Sequence, residues 1–281
     1  MSLADLHPVI ITRDAARTIE RTLESLARFP EVVVFDNGSR DETKSKCAAF
    51  ANVKLIEGEF AGFGPTKNHA ASFASGDWIL SLDADEYLSE ELLQALERAE
   101  LSDHGTVYVV ERHNLMMGRQ VRHGGWGRDW LVRVYHRRTH AFTNVMVHEK
   151  IAPSGKTVRL DGALWHQAVT EIDQFLSKIS RYSELRRGVP GRVYGPFAIA
   201  VRAAWAFVRS YVFQLGFVEG WRGLVIAVST SNGSFYKHMK AYVDERLRHE
   251  ADQSGRGRRE LGRTVTGEPA PNRDGFRHRD R

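Results

Sequence analysis

Val32-Val33-Val34-Phe35-Asp36-Asn37-Gly38-Ser39 is an unbroken apolar run, rich in β-branched residues, that ends in an acid and a turn. A strand without polar alternation has both faces covered, which is the habit of parallel sheets in α/β proteins. The same grammar repeats outward from this stretch. Upstream, Val9 to Thr12 is a β-branched run, followed by Asp14 as an N-cap and a helical face of Ile19, Leu23 and Leu26 that Pro30 stops. Downstream, Asp41 caps a second helix through about Ala51 and Val53 to Ile56 forms a third strand. A glycine-rich loop through Gly64 and Pro65 opens a third helix, and Trp78 to Leu82 is a fourth strand ending at Asp83. The fold class is therefore α/β: an open, mostly parallel sheet flanked by helices.

In such sheets ligands bind beyond the carboxyl ends of the strands. The polar residues there are Thr12-Arg13-Asp14, Asp36-Asn37 and Asp83-Ala84-Asp85-Glu86, so the fold gathers them onto one rim. Neither a G-x-G-x-x-G after the first strand nor a G-x-x-x-x-G-K-[ST] is present, which argues against a dinucleotide fingerprint and a P-loop.

From Thr106 the pattern changes. Thr106 to Val110, Trp130 to Tyr135 and Val158 to Leu160 read as a small antiparallel extension, with a polar, glycine-rich stretch from Arg122 to Asp129 between them. Thr170 opens a helix with a capping-box-like Thr170-x-x-Asp173 and a stripe of Ile172, Phe175, Leu176, Ile179 and Tyr182. Phe197 to Tyr242 reads as two amphipathic helices broken near Gly216 to Gly223, with uncharged stretches too short to span a bilayer. The polar stretch after His249 reads as disordered. The expected organisation is a catalytic domain at 1–169, with a nucleotide half to about 100 and an acceptor half from 101. A helical, membrane-associating region at 170–248 and a basic disordered tail at 249–281 follow.

Of the 281 residues, 42% are hydrophobic and 27% charged, which excludes wholesale disorder, a collagen-like fibre or a small disulfide scaffold. A single cysteine, Cys47, allows no internal disulfide and favours a reducing, cytosolic compartment, and Met1 to Leu6 does not read as a signal peptide. The net charge of +5 is unevenly spread. Residues 1–180 hold 21 Lys/Arg against 25 Asp/Glu, whereas residues 181–250 hold 11 against 5. The positive excess accompanies aromatic, apolar sequence, which points to an anionic membrane surface and away from nucleic acid.

Asp83-Ala84-Asp85 is a D-x-D directly after a buried strand. Two carboxylates this close repel unless a cation sits between them, and hard oxygen ligands beside a ligand's phosphates suit Mg²⁺ or Mn²⁺. His123, His148 and His166 lack zinc-ligand spacing. Three ordered motifs, Asp36-Asn37-Gly38-Ser39-Arg40-Asp41, Gly62 to Ala70, and Gly76-Asp77-Trp78 leading to Asp83-Ala84-Asp85-Glu86, resemble the family 2 glycosyltransferases of the GT-A fold. Arg122-His123-Gly124-Gly125-Trp126, Arg133-Val134 and Val147-His148-Glu149 are similar to the lipopolysaccharide-core β-1,4-glucosyltransferase branch.

That resemblance implies roles at matching positions. Thr12, Arg13, Asp36 and Asn37 would frame the base and ribose of a nucleotide sugar, with Lys67 near the base or diphosphate. Asp83 would face ribose or metal, and Asp85 would ligate the metal. The rival reading for Asp36 is helix capping or turn formation, and for Lys67 a solvated lysine in the first turn of a helix. The family usually has Asn-Glu where this chain has Asp14-Ala15, and often Asp or Ser at Asn37, which leaves the base open.

Inverting transfer needs a carboxylate that deprotonates the acceptor hydroxyl. Glu149 and Asp129 are the candidates, a structural ion pair with an arginine being the rival reading, and His148 is a candidate metal ligand. The expectation is a metal-dependent inverting transferase moving a sugar from a UDP-sugar to a lipid-linked saccharide on the cytoplasmic face of a membrane. A nucleotidyltransferase and a non-catalytic membrane adaptor are the alternatives.

Overall fold

The computed structural model describes residues 3–127, 129–143, 150–151, 155–172 and 192–266, with side chains to residue 251. Strands β1 (Leu6–Thr12), β2 (Val32–Asp36), β3 (Val53–Glu57) and β4 (Trp78–Asp83) pair in parallel in the order β3-β2-β1-β4. Helices α1 (Ile19–Glu24), α2 (Thr43–Ala48) and α3 (Phe63–Ala71) lie between them in sequence. Alternate residues enter different cores. Ile10, Val32 and Val34 pack with Ile19, Leu23 and Leu26, whereas Val9, Val33 and Phe35 pack with Ala70, Ala71 and Ala74. Two cores explain the absence of alternation in Val32–Phe35, and each such side chain contributes roughly 1.5–3 kcal/mol by leaving water. The expected open α/β sheet with flanking helices is the observed fold.

One local expectation changes. Asp14 is not the cap of α1; it sits at φ 51° and its carboxylate accepts the Arg40 N–H at 2.8 Å, tying together the two loops at the rim. Asp41 does serve the start of α2, accepting the Thr43 N–H at 3.0 Å, and its second oxygen takes the Ala16 N–H at 3.1 Å.

The second half comprises β5 (Glu86–Leu88), α4 (Glu90–Arg98), β6 (Val107–Met116), β7 (Arg119–Gln120), β8 (Asp129–His136) and β9 (Thr157–Val169). The full sheet is ordered β3-β2-β1-β4-β8-β6-β9-β5, with β7 paired to β6. β8 runs antiparallel to β4 and β6, as expected of the extension, but β9 is parallel to β6 and antiparallel to β5. The path of a connection sets a strand's direction, and residue pattern does not encode that path. Ser89 caps α4 by accepting the Leu92 N–H at 3.2 Å, and the same hydroxyl accepts the Ala163 N–H at 3.0 Å, fastening α4 to β9.

At the carboxyl end, α5 (Pro196–Val208) continues as a π turn over Arg209–Phe213, and a 3-10 turn over Gly216–Glu219 leads to α6 (Trp221–Thr266). The break falls where the glycines placed it. Ile226 of α6 packs with Met116, Val121 and Val169, which docks the helix on the sheet's second half. α6 runs to Thr266, past the His249 at which the sequence reading set the start of the tail. No proline lies between Trp221 and Pro269, and extending an existing helix is far easier than nucleating one. The helix led by Thr170 lies outside the described residues beyond Ile172, as do residues 267–281. No described helix is long and apolar enough to cross a membrane.

Candidate active site

Register brings the strand ends level: Thr12 lies opposite Asp36 and Ile11 opposite Asp83. Thr12 is buried and its hydroxyl has no partner among the described residues. Asn37 donates its amide to the Gly58 carbonyl at 3.3 Å, which orients its oxygen as an acceptor. Arg13 is half exposed, with Asp14 at 3.8 Å. Asp36 is bonded within its own turn. It is 0% exposed, and its carboxylate accepts the N–H groups of Gly38 and Ser39 and the Ser39 hydroxyl. It builds the turn that presents Asn37, as in the rival reading of this residue.

Lys67 is no solvated lysine. It is 5% exposed, its ammonium lies 2.9 Å from Asp83 Oδ1 and it caps the face of Phe142 at 5.1 Å. The other Asp83 oxygen accepts from Arg133 at 3.2 Å. Burial by itself would raise the Asp83 pKa, but Lys67 and then Arg133 hold it well below the usual carboxylate range. Arg133 also donates to Glu86, which is 0% exposed and accepts the Asp83 N–H at 3.0 Å. Burial, and the charge of Asp83, push Glu86 upward against the pull of Arg133. For Arg133 burial works against the charge, and the two carboxylates more than offset it, raising its pKa. Arg112 lies 3.5 Å from Glu86 and 2.6 Å from Asp129.

Among the described residues this network holds three carboxylates, Asp83, Glu86 and Asp129, and three cations, Lys67, Arg112 and Arg133. It is neutral within itself. An anionic ligand at the rim finds little uncompensated positive charge there and needs a cation brought from outside.

Asp85 is the second acid of the D-x-D. Because β5 starts directly after it and pairs with β9 in the register Glu86 to His166, His166 reaches it, with Nε2 3.4 Å from Asp85 Oδ2. His166 Nδ1 lies 2.7 Å from Asn114 Oδ1, while the Asn114 amide donates to the Trp126 carbonyl at 3.2 Å. The proton thus belongs on Nδ1, and Nε2 presents a lone pair to the carboxylate. Two lone-pair atoms facing each other call for a proton or a metal ion between them. Among the described residues no three His, Cys, Asp or Glu groups converge.

Of the remaining candidates, Asp129 is held by Arg112, matching the ion-pair reading. His148 and Glu149 lie outside the described residues. Their flanks are fixed: Thr143 and Lys150 bond each other, Phe142 bridges Ile151, and Asn68 of α3 bonds both backbone groups of Phe142. Arg112 and Asn114 were not singled out from the sequence, Glu86 entered only as part of the rim motif, and His166 only in a zinc set that its spacing ruled out. Glu86 adjoins the D-x-D and was within reach, whereas His166 depends on a strand pairing that no local pattern announces.

Acidic and basic groups gathered beyond the carboxyl ends of an open α/β sheet occupy the place where proteins of the α/β class bind ligands. Residues 9–152, just over half of the chain, match Glycosyl transferase family 2, and the chain belongs to that family. It is a glycosyltransferase that works on a nucleotide-sugar donor. It is 27% identical over 247 residues to an uncharacterized glycosyltransferase of Rickettsia typhi, covering 82% of this chain and 84% of the relative. It is 25% identical over 264 residues to the lipopolysaccharide core biosynthesis glycosyltransferase LpsC of Rhizobium meliloti, covering 87% and 98%. Among solved structures, S. aureus TarS 1-349 in complex with UDP matches with a TM-score of 0.45 and 17% identity, covering 89% of this chain and 92% of that one.

Proposed function

We propose that the chain is a metal-dependent, inverting hexosyltransferase. It moves a sugar from a UDP-sugar to a lipid-linked saccharide such as a lipopolysaccharide core, at the inner face of a membrane facing the cytoplasm. The observation that carries the metal dependence is the internally neutral network beside Asp85 and His166. A nucleotide diphosphate placed there needs added positive charge, and this pair offers a carboxylate and an imidazole lone pair to hold its source. A divalent cation, Mn²⁺ or Mg²⁺, would neutralise the charge that grows on the departing diphosphate.

The chain's own residues do the rest. Lys67 and Arg133 fix the Asp83 carboxylate toward the ribose. The Thr12 hydroxyl is a buried group in need of a ligand partner. The Asn37 oxygen suits the N3–H of uracil, because its amide is committed to Gly58. Glu149 is the base that takes the acceptor proton; Asp129, tied to Arg112, is the weaker candidate. The name of the LpsC relative supports the lipopolysaccharide acceptor.

A thermal-shift titration tests the donor site, since a ligand that binds only the folded state raises its Tm. UDP with Mn²⁺ should stabilise the protein, and Asp85→Ala should abolish that shift while leaving the ligand-free Tm close to wild type. Glu149→Gln should keep the shift and lose transfer by at least about a hundredfold, in line with general-base contributions. If no nucleoside diphosphate with metal stabilises the wild type, the donor site is wrongly assigned.

A further inference from the structure

The carboxyl-terminal helices leave an apolar face uncovered among the described residues. On α5, Phe197, Val201 and Trp205 recur at helical spacing and stand 83%, 52% and 56% exposed; the turn adds Phe213 at 66%, and α6 continues with Trp221 and Leu224. The helices pack through their other sides, where Ile199, Ala203, Ile226 and Ala227 are buried. Contiguous exposure of this extent marks an interaction surface.

Charge around the face has one sign. From Arg192 to Val243 the chain carries six Lys/Arg and one acid, Glu219. Arg202 and Arg209 are exposed, Arg202 next in sequence to Val201 and Arg209 next to the exposed Val208. Glu219 does not offset them. Its side chain is 9% exposed and turned inward, accepting the Arg122 N–H at 2.9 Å and lying 2.7 Å from His123 Nδ1. Two copies meeting through this face would oppose arginine to arginine, whereas an anionic bilayer satisfies both the apolar stripe and its cationic border.

The same turn grips the sheet's glycine-rich segment. Gly124 donates its N–H to the Gln214 carbonyl and accepts from the Ser210 hydroxyl, each at 2.8 Å. That segment leads into β8, which carries Asp129 and Arg133.

We propose that this face lies on an anionic lipid bilayer with α5 and the start of α6 along its plane. Glu219 fastens residues 122–127 to the docked turn, so that an acceptor held in the membrane is delivered beside β8. The inference deepens the reading of a lipid-linked acceptor and rests on it for the delivery step only.

Flotation of the full chain with vesicles tests it. Vesicles mixing phosphatidylcholine with phosphatidylglycerol should bind at least about tenfold more tightly than phosphatidylcholine alone, and the preference should fade as salt rises. W205D/F213D should lose that binding while keeping the UDP and Mn²⁺ thermal shift, and R202E/R209E should lose the preference for the anionic lipid. Glu219→Gln should still bind, with faster amide hydrogen exchange across 122–127 on the vesicle. No binding to either vesicle, or equal binding to both, overturns the docking surface. A dimer that W205D/F213D dissociates without changing vesicle binding assigns the face to a second copy. Unchanged exchange in Glu219→Gln overturns the fastening. A protein that floats but takes no nucleoside diphosphate refutes the catalytic reading alone, and one that takes UDP but ignores vesicles refutes the surface alone.

Discussion

Replacing Arg133 with methionine isolates the charge that organises the rim. The guanidinium is 4% exposed and bonds both Asp83 and Glu86, and the methionine chain retains most of the apolar stem's packing. Removing one partner from a buried ion pair costs about 3–5 kcal/mol because the other charge is stranded. Asp83 is one-third open to water and keeps Lys67, so the lower figure, about 3 kcal/mol, applies. At roughly 2–4 °C per kcal/mol for a chain of this order of size, Tm should fall by about 6–12 °C. The loss should also depend on pH. Burial already pushes the Glu86 pKa up, and without Arg133 it rises further. A carboxyl whose folded pKa exceeds its unfolded value binds its proton more firmly when folded, so the variant regains stability as pH falls. Differential scanning calorimetry at pH 8 and pH 5 should show the gap to wild type narrowing at pH 5, and R133M/E86Q should recover part of it. A fall of less than about 2 °C, or the same gap at both values, would refute the reasoning that Arg133 balances two buried carboxylates.

Three further outcomes follow from the same structure. Lys67 and Arg133 outweigh burial at Asp83, and Arg137 and Arg138 do so at Asp77, so both folded pKa values lie below their unfolded ones. Their stabilisation is complete above about pH 4 and is lost as pH falls through the folded values, so urea midpoints should drop steeply from pH 4 to pH 2; a flat profile would exclude this source of acid lability. Gly162 has φ +97°, and an added Cβ would stand 2.2 Å from the Leu92 nitrogen, so Gly162→Ala should cost at least about 2 kcal/mol by forcing α4 off β9. Wild-type Tm in that variant would mean the contact is looser than drawn. Burial, and then Asp36, push the Cys47 thiol up to about 11, so it should resist maleimide at pH 8 until urea unfolds the chain; prompt labelling of the native protein would contradict its burial.

The parallel half was legible because its signals are local. Val32–Phe35 has no polar side to expose, which demands a covered sheet, and Asn37-Gly38 demands a turn at its end. The carboxylates at the strand ends followed, since β1, β2 and β4 needed only to be parallel to bring Thr12, Asn37 and Asp83 together. The second half resisted for the opposite reason. β5 is three residues long, β9 runs nine residues past the Leu160 at which its local pattern ended, and their mutual register involves positions 80 residues apart. Asp36 was legible as a type but not as a role, because a carboxylate at a strand end serves a turn and a ligand equally well until its hydrogen-bond partners are known.

What the sequence determined by itself was the class of sheet, the rim on which its strand-end carboxylates gather, and the gathering of basic and aromatic residues at the carboxyl end. Those are properties of composition and short-range periodicity, which each segment carries wherever it is placed. Tertiary structure alone decided that His166 faces Asp85, that Glu86 and Arg133 hold Asp83, that the network sums to neutrality, and that Glu219 turns inward from an otherwise cationic face. Each is a pairing of charges across long sequence separations, and electrostatic energy depends on the distance between groups in space rather than along the chain.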